Sequence, residues 1–237
     1  MSAPQAPHTS KGYEDELQQA HALVLQMGAR VERQALDAIE CLGSGSGNLI
    51  DQILRHEGVV NALERTIDGL AGQIIARRQP TASDLRLLTA VLKVTTDLER
   101  IGDEAKKIAL QARRMQTDAT AGLPRGVELR RMGQAAVAML HGALAALERL
   151  DLAGTTDVIR RDAEVNEAFR AILRQLISFM IEDPRTISMC LDLLFVAKAL
   201  ERIGDHAKNI AEQTIYVVKG TDVRHTTMSE IEQEVRS

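Results

Sequence analysis

The chain has 237 residues, of which 45% are hydrophobic and 26% charged, so it is long and apolar enough to build a sizeable core. With three Phe, two Tyr and no Trp, it offers few aromatic surfaces on which the bases of single-stranded nucleic acid stack. Its net charge of -4 gives no overall attraction to phosphate backbones or anionic lipids. We therefore expect neither a nucleic-acid partner nor direct membrane binding.

In chain order, prolines and glycine clusters divide the sequence into long segments in which apolar residues recur every three or four positions. This spacing is typical of amphipathic helices. The sequence predicts six of them, over residues 13–42, 48–78, 84–115, 127–151, 155–182 and 185–219. Residues 116–126 form the expected domain boundary, and residues 1–12 and 221–237 are expected to be flexible tails.

The two halves of the chain are related as an internal repeat. At an offset of 105 residues, Met27-Gly28 falls on Met132-Gly133 and Asn61 falls on Asn166. At an offset of 102, residues 98–111 and 200–213 share 11 of 14 identities. The predicted fold is therefore all-α, with two pseudo-symmetric three-helix bundles over 13–116 and 127–220.

A charged ridge recurs on the third helix of each repeat, on the side away from the apolar stripe. In the second half it carries Glu201, Asp205 and Asn209, one helical turn apart. The ridge of the first half has Glu99 and Asp103, followed by Lys107 where the second half has an asparagine.

The second helix of each repeat carries a matching pair, Asp162 with Asn166 and Glu57 with Asn61. If both ridges line one groove, their oxygens would suit a cation, since carboxylates four residues apart otherwise repel each other. The sequence thus predicts a metal site in each half, and an ammonium group from Lys107 beside Asp103 would compete with the ion in the first.

Other interpretations of these ridges remain open. Acidic residues on a polar helix face are often only solvated, and Arg100, Lys106 and Lys107 could neutralise them. That case leaves a metal-independent helical adaptor. Clustered carboxylates with metals can also activate water, so a metal-dependent hydrolase of phosphate esters is a further alternative. No nucleophile with a neighbouring base stands out, and we expect a non-enzymatic protein.

The doubled LERIGD-x-A-K-x-I-A motif, with EDPRTI at 182–187 and KGTDVRH at 219–225, resembles the PhoU family over about residues 13–225. The resemblance implies paired three-helix bundles with multinuclear metal clusters, described with iron, zinc, manganese or magnesium, on their acidic ridges. By position, the ligand pattern is intact at Glu201, Asp205 and Asn209, and departs from the family at Lys107.

The same resemblance implies a cytoplasmic negative regulator of phosphate uptake and of the phosphate-starvation (Pho) response. Such a protein would couple the phosphate ABC transporter, through its ATPase PstB, to the sensor histidine kinase PhoR. It would be peripheral to the membrane through these partners and would form a homodimer.

Overall fold

A computed structural model describes residues 11–44, 46–117 and 127–236. In this part of the chain all regular structure is helical. The six long helices are α1 (Lys11–Ser44), α2 (Gly47–Arg78), α3 (Ala82–Thr117), α4 (Val127–Arg149), α5 (Leu152–Glu182) and α6 (Ile187–Lys219). The all-α prediction is confirmed, and the predicted boundaries lie within a few residues of those observed.

The helices end where their backbone turns or is capped. Gln79 and Gly220 adopt the left-handed conformation after α2 and α6, and their N–H groups return to Ile75 O and Tyr216 O. Asp151 caps α5 by accepting a hydrogen bond from the Ala153 N–H at 3.0 Å. The connections between α1 and α2, α2 and α3, α4 and α5, and α5 and α6 are short, and each of these helix pairs packs as antiparallel neighbours.

The chain folds as two three-helix bundles, α1–α3 and α4–α6, that contact each other through α3 with α6 and through α1 with α4. A Cβ atom added at Gly28 would lie 2.5 Å from Leu144 Cδ2, and one added at Gly133 would lie 2.8 Å from Ile39 Cγ1. Because these are equivalent positions in the two repeats, the α1–α4 contact is pseudo-two-fold. The glycines give each half room for an aliphatic side chain of the other.

The core is aliphatic, as the composition predicts. Leu98 and Ile101 of α3 and their equivalents Leu200 and Ile203 of α6 are fully buried. Both cysteines are free thiols inside the bundles, and burial, followed by the carboxylate of Asp37, raises the pKa of Cys41 to about 11. This packing supports hydrophobic, not redox, roles for the two cysteines.

The predicted C-terminal tail is wrong for its last part. Residues Met228–Arg236 form helix α7, which packs on α5, buries Ile231 and pairs Glu232 with Arg160 at 2.7 Å. A capping box starts this helix, since the Thr227 N–H donates to Glu230 and the Glu230 N–H donates back to the Thr227 hydroxyl. The T-x-x-E spacing, with Met228, Ile231 and Val235 three and four residues apart, could have revealed this helix.

The expected N-terminal tail overlaps α1 at residues 11 and 12, while residues 1–10 lie outside the described part of the chain. Most of the expected boundary at 116–126 lies outside it as well, although α3 extends to residue 117. Across the described helices, none combines the length and apolar character that crossing a bilayer requires.

Candidate metal-binding ridges

The ridge of the second half lies where α5 and α6 pack together. Glu201 and Asp205 of α6 and Asp162 of α5 are all half-buried. Burial, followed by the nearby charges of Glu201 and Asp162, raises the pKa of Asp205 above its ordinary value. Asp205 therefore lies within reach of the negative charges of both Glu201 and Asp162.

Two of these three carboxylates accept hydrogen bonds from lysine side chains. The Lys208 ammonium donates to Asp162 Oδ2 at 3.2 Å, and the Asn166 amide donates to the same oxygen at 3.2 Å. Lys198 donates to Glu201 Oε2 at 2.5 Å. Among the described residues, the Asp205 carboxylate has no hydrogen-bond or ion-pair partner. Of these three carboxylates, Asp205 is therefore the one without a direct partner among the described residues.

The first half repeats this arrangement between α2 and α3. Burial, followed by the charge of Asp103, raises the pKa of Glu99, with smaller contributions from Glu64 and Glu57. The pKa of Glu64 is raised by burial and by Asp68 and Asp103. The first-half ridge therefore gathers more carboxylates than the second.

A lysine at the same position of the repeat pairs with a carboxylate in both ridges. Lys106 donates to Glu57 Oε1 at 2.5 Å, just as Lys208 donates to Asp162. Lys106 and Lys208 are equivalent in the repeat, in the shared A-K of the motif. Asn61 lies one turn beyond Glu57 and is half-buried, as Asn166 is beyond Asp162.

The predicted competition from Lys107 is corrected by the geometry. Its ammonium is 2.9 Å from Glu104 Oε1, a buried carboxylate that also receives Arg202 at 3.2 Å. Asn209, the equivalent of Lys107, donates to Asp97 Oδ1 at 3.2 Å. Asn209 thus bonds across the α3–α6 contact between the halves, and Lys107 bonds a carboxylate that lies at the same contact. The ammonium that competes for ridge oxygens in the first half is therefore that of Lys106.

A buried pair at that contact was missed by the sequence analysis. His206 Nδ1 lies 2.8 Å from Asp97 Oδ1, and both side chains are about nine-tenths buried. Asp97 has an alanine at its equivalent position, Ala199, so comparison of the repeats gave no indication of the pair. Only the approach of α3 to α6 brings the two residues together.

The glycines of the motif differ in how tightly they are packed. A Cβ atom at Gly204 would lie 3.3 Å from Val165 Cγ1, whereas one at Gly102 would lie 3.4 Å from Gln34 Oε1 and 3.7 Å from Val60 Cγ1. At Gly204 the approach of the Val165 side chain is therefore tight. At Gly102 the contact is ordinary van der Waals packing.

The donor chemistry of both ridges suits a hard or borderline divalent cation, because carboxylate and amide oxygens dominate them. As the side chains stand, no group of three or more His, Cys, Asp or Glu residues in the described ranges is arranged to hold an ion. Three of the ridge carboxylates are hydrogen-bonded to lysines, namely to Lys106, Lys198 and Lys208, and would have to turn toward a metal. Metal binding would therefore exchange these ion pairs for coordination.

A family model described as the PhoU domain matches residues 24–112 and again residues 129–214. The chain belongs to the PhoU family. The two matched ranges coincide with the two bundles, so each bundle is one PhoU domain.

Similar proteins cover nearly the whole chain. A Burkholderia phosphate-specific transport system accessory protein PhoU homolog is 46% identical over 96% of this chain and 97% of its own length. The accessory protein PhoU of Escherichia coli K12 is 38% identical, covering 95% and 93%.

Two solved PhoU structures share the fold. The crystal structure of PhoU from Pseudomonas aeruginosa has a TM-score of 0.85 and 41% identity over 88% of this chain and 100% of its own. The phosphate transport system regulatory protein PhoU from Streptococcus pneumoniae has a TM-score of 0.81 at 24% identity, covering 89% and 99%. The second match supports the fold alone.

Proposed function

We propose that this chain is a cytoplasmic, non-enzymatic negative regulator of phosphate uptake and of the Pho response. The observation that carries the proposal is the near full-length similarity, across both domains, to accessory proteins of the phosphate-specific transport system. Long rigid helices with charged outer faces suit a protein that presents surfaces to partners.

In this role the chain couples the transporter ATPase PstB to the sensor histidine kinase PhoR and acts as a homodimer. When phosphate is plentiful, it holds the kinase in its non-activating state. Because the chain would reach the membrane through these proteins, its own helices need no membrane-spanning segment.

Co-purification tests the coupling. Untagged partners are retained on the immobilised full-length chain from an extract of cells grown at high phosphate, and are identified by mass spectrometry. We expect the transporter ATPase and the histidine kinase, and neither on a column bearing an unrelated helical protein. Absence of both from the retained fraction would contradict the coupling.

The proposal also includes metal ions at the two acidic ridges. Supporting this is the unpartnered, half-buried Asp205 carboxylate, whose pKa is raised by burial and by Glu201 and Asp162. A divalent cation there would relieve this repulsion. Glu201, Asp205, Asp162 and Asn166 would supply oxygens in the second half, together with Asn209, whose side chain would have to turn away from Asp97. Glu99, Asp103, Glu57 and Asn61 would supply them in the first.

Metal analysis of the untagged protein tests this part. Glu201→Ala/Asp205→Ala and Glu99→Ala/Asp103→Ala should each lower the bound metal per chain. The control Glu167→Ala, an exposed carboxylate on α5 whose side chain is 64% exposed, should leave it unchanged. Metal-free wild-type protein, or equal metal content in all four proteins, would leave the metal-independent adaptor.

The hydrolase alternative is tested with the same proteins. Metal-loaded wild type is incubated with a generic phosphodiester and with pyrophosphate. We expect no turnover above that of the free metal ion. Turnover that Asp205→Ala abolishes would replace the regulatory proposal with a metal-dependent hydrolase.

A further inference from the structure

An open cleft lies between α6 and residues 220–227, the segment that joins α6 to α7. It has a volume of about 420 Å³, and all of its lining residues are polar or charged. Asp205, Asn209 and Glu212 of α6 line it, together with Arg224 and His225 of the joining segment. We refer to it as the α6 cleft.

Glu212 is the buried carboxylate of the α6 cleft. The residue is 4% exposed, yet among the described residues it has no hydrogen-bond or ion-pair partner. Burial raises the pKa of its carboxyl, Lys208 partly offsets this effect, and Asp222 adds to it. Because a buried carboxylate without a partner is costly, its position in the lining points to a ligand that brings positive charge.

The first half shows that the fold does not require a carboxylate at this position. The equivalent of Glu212 in the first repeat is Leu110, which is 37% exposed. Asp103, the equivalent of Asp205, is therefore followed two turns later by a leucine. The pair of carboxylates seven residues apart, Asp205 and Glu212, is thus a property of the second half.

The charges around the α6 cleft favour a cationic ligand over an anionic one. Its three basic lining residues are each paired with a carboxylate, and Lys107, which also contacts Glu104, is balanced by Asp97 of the same helix. Asp205 and Glu212 are left without a direct counter-charge among the described residues. The three pairs of the lining are Arg202–Glu104 at 3.2 Å, Lys208–Asp162 at 3.2 Å and Arg224–Asp222 at 2.5 Å.

The spacing of the two carboxylates selects the kind of cation. Asp205 and Glu212 are two turns apart on α6, about 10 Å along the helix axis. A single metal ion, whose oxygen ligands lie about 2–2.6 Å away, does not bridge that distance. Two hydrogen bonds of about 3 Å each, from an ammonium group at either end, leave about 5 Å for a linking carbon chain.

We propose that the α6 cleft binds a short linear diamine of about four carbons, with one ammonium group on Asp205 and the other on Glu212. The cleft is large enough for such a molecule and offers it polar lining throughout. This inference goes beyond the regulatory role and shares only Asp205 with the proposed metal ligands.

Isothermal titration calorimetry of the chelator-treated, full-length chain with 1,4-diaminobutane tests the proposal. The titrations use about 0.15 M salt, at which attraction to exposed carboxylates is weakened. We expect one diamine per chain, and at least about 10-fold weaker binding of butylamine, which has a single ammonium group. Equal binding of the two amines, or no binding of the diamine, would overturn the proposal.

Two variants test whether the diamine binds in the α6 cleft. Glu212→Gln and Asp205→Asn nearly keep the size of each side chain and remove its charge, so each should weaken diamine binding at least about 10-fold. The control Glu167→Gln changes an exposed carboxylate of α5 and should bind as the wild type does. Circular dichroism checks that each variant is folded. Unchanged affinity in folded Glu212→Gln would overturn the assignment of this cleft.

Metal measurements separate this inference from the proposed metal-binding ridge. Glu212 is not among the proposed ridge ligands, so Glu212→Gln should keep the metal content of the wild type while losing the diamine. A titration with Mg²⁺ in place of the diamine tests the other cationic ligand. Saturable Mg²⁺ binding that Glu212→Gln abolishes, without diamine binding to the wild type, would replace the diamine site with a metal site.

Discussion

The first half of the chain (α1–α3) and the second (α4–α6) place equivalent residues at the same contacts. Gly28 and Gly133 each accept an aliphatic side chain from the opposite half, and Lys106 and Lys208 each bond the carboxylate of the preceding helix. These contacts are therefore common to both repeats.

The halves differ in what they expose. The second half carries exposed apolar side chains near the α5–α6 turn, among them Ile181 and Phe195, and the added helix α7, which packs on α5. The first half instead gathers Glu57, Glu64, Asp68, Glu99 and Asp103 on one ridge. The comparison shows that the two halves share these packing contacts and the lysine–carboxylate pairs. They differ in the side chains they expose and at the buried Asp97–His206 pair of the α3–α6 contact.

The largest expected effect on stability tests whether the hydrophobic cores of the two halves are equivalent. Leu98→Ala and Leu200→Ala remove equivalent, fully buried side chains, and each should cost about 2–5 kcal/mol of unfolding free energy. Urea unfolding followed by circular dichroism measures both. Costs that differ by more than about 2 kcal/mol would show that the two cores are not equivalent.

The next effect tests the contact between the halves. Asp97→Ala removes the partner of His206 and Asn209 at a buried position, and we expect a loss of about 1–3 kcal/mol. Asp51→Ala is the control, because its ion pair with Arg113 is about half exposed and contributes little. Equal effects in thermal unfolding would contradict the structural importance of the Asp97 pair.

A smaller effect on stability should distinguish Gly102 from Gly204, the two glycines of the repeated motif. Gly102→Ala should stabilise the chain by up to about 1 kcal/mol, since alanine favours helix and the added methyl group meets only ordinary contacts. At Gly204 the methyl group presses on Val165, so Gly204→Ala should gain less or nothing. Chemical unfolding of both variants measures the difference. A larger gain in stability for Gly204→Ala than for Gly102→Ala would contradict this expectation.

The smallest effect concerns the pH dependence of the metal-free chain. Folding raises the pKa of Glu99 and of Asp205, so their protonated forms stabilise the fold and this contribution is lost as pH rises through the raised pKa values. Glu99→Gln and Asp205→Asn should therefore each gain a few tenths of a kcal/mol at pH 7.

That gain should shrink as the pH falls toward 4, near the ordinary carboxyl pKa values, where the wild-type groups also become protonated. Thermal unfolding of chelator-treated protein between pH 4 and pH 8 measures it. A loss of stability in both variants at pH 7 would show that the ridge carboxylates are favourably paired even without metal.

The helices and the duplication could be predicted from the sequence, because each depends on spacing repeated over many residues. The target of Lys106 could not. Lys107 pairs with Glu104, three residues away on the same helix, whereas Lys106 pairs with Glu57 of the neighbouring helix. Which carboxylate of α2 lies beside Lys106 depends on how the helices pack.

The same reason explains why the Asp97–His206 pair was missed, since its partners are 109 residues apart on helices from different repeats. The unpartnered state of Asp205 was likewise invisible, as it depends on Lys198 and Lys208 bonding other carboxylates. Helix α7 was overlooked for a different reason. It is only nine residues long, and its sequence signs are a capping box and a single short apolar stripe of Met228, Ile231 and Val235.

Expression from a phosphate-starvation promoter tests the regulatory role most directly. The reporter is measured at high phosphate in the parent strain, in a strain lacking this chain, and in that strain complemented with the wild-type chain. We predict high expression in the deletion strain and repression on complementation. Expression that stays low in the deletion strain would contradict negative regulation of the Pho response by this chain.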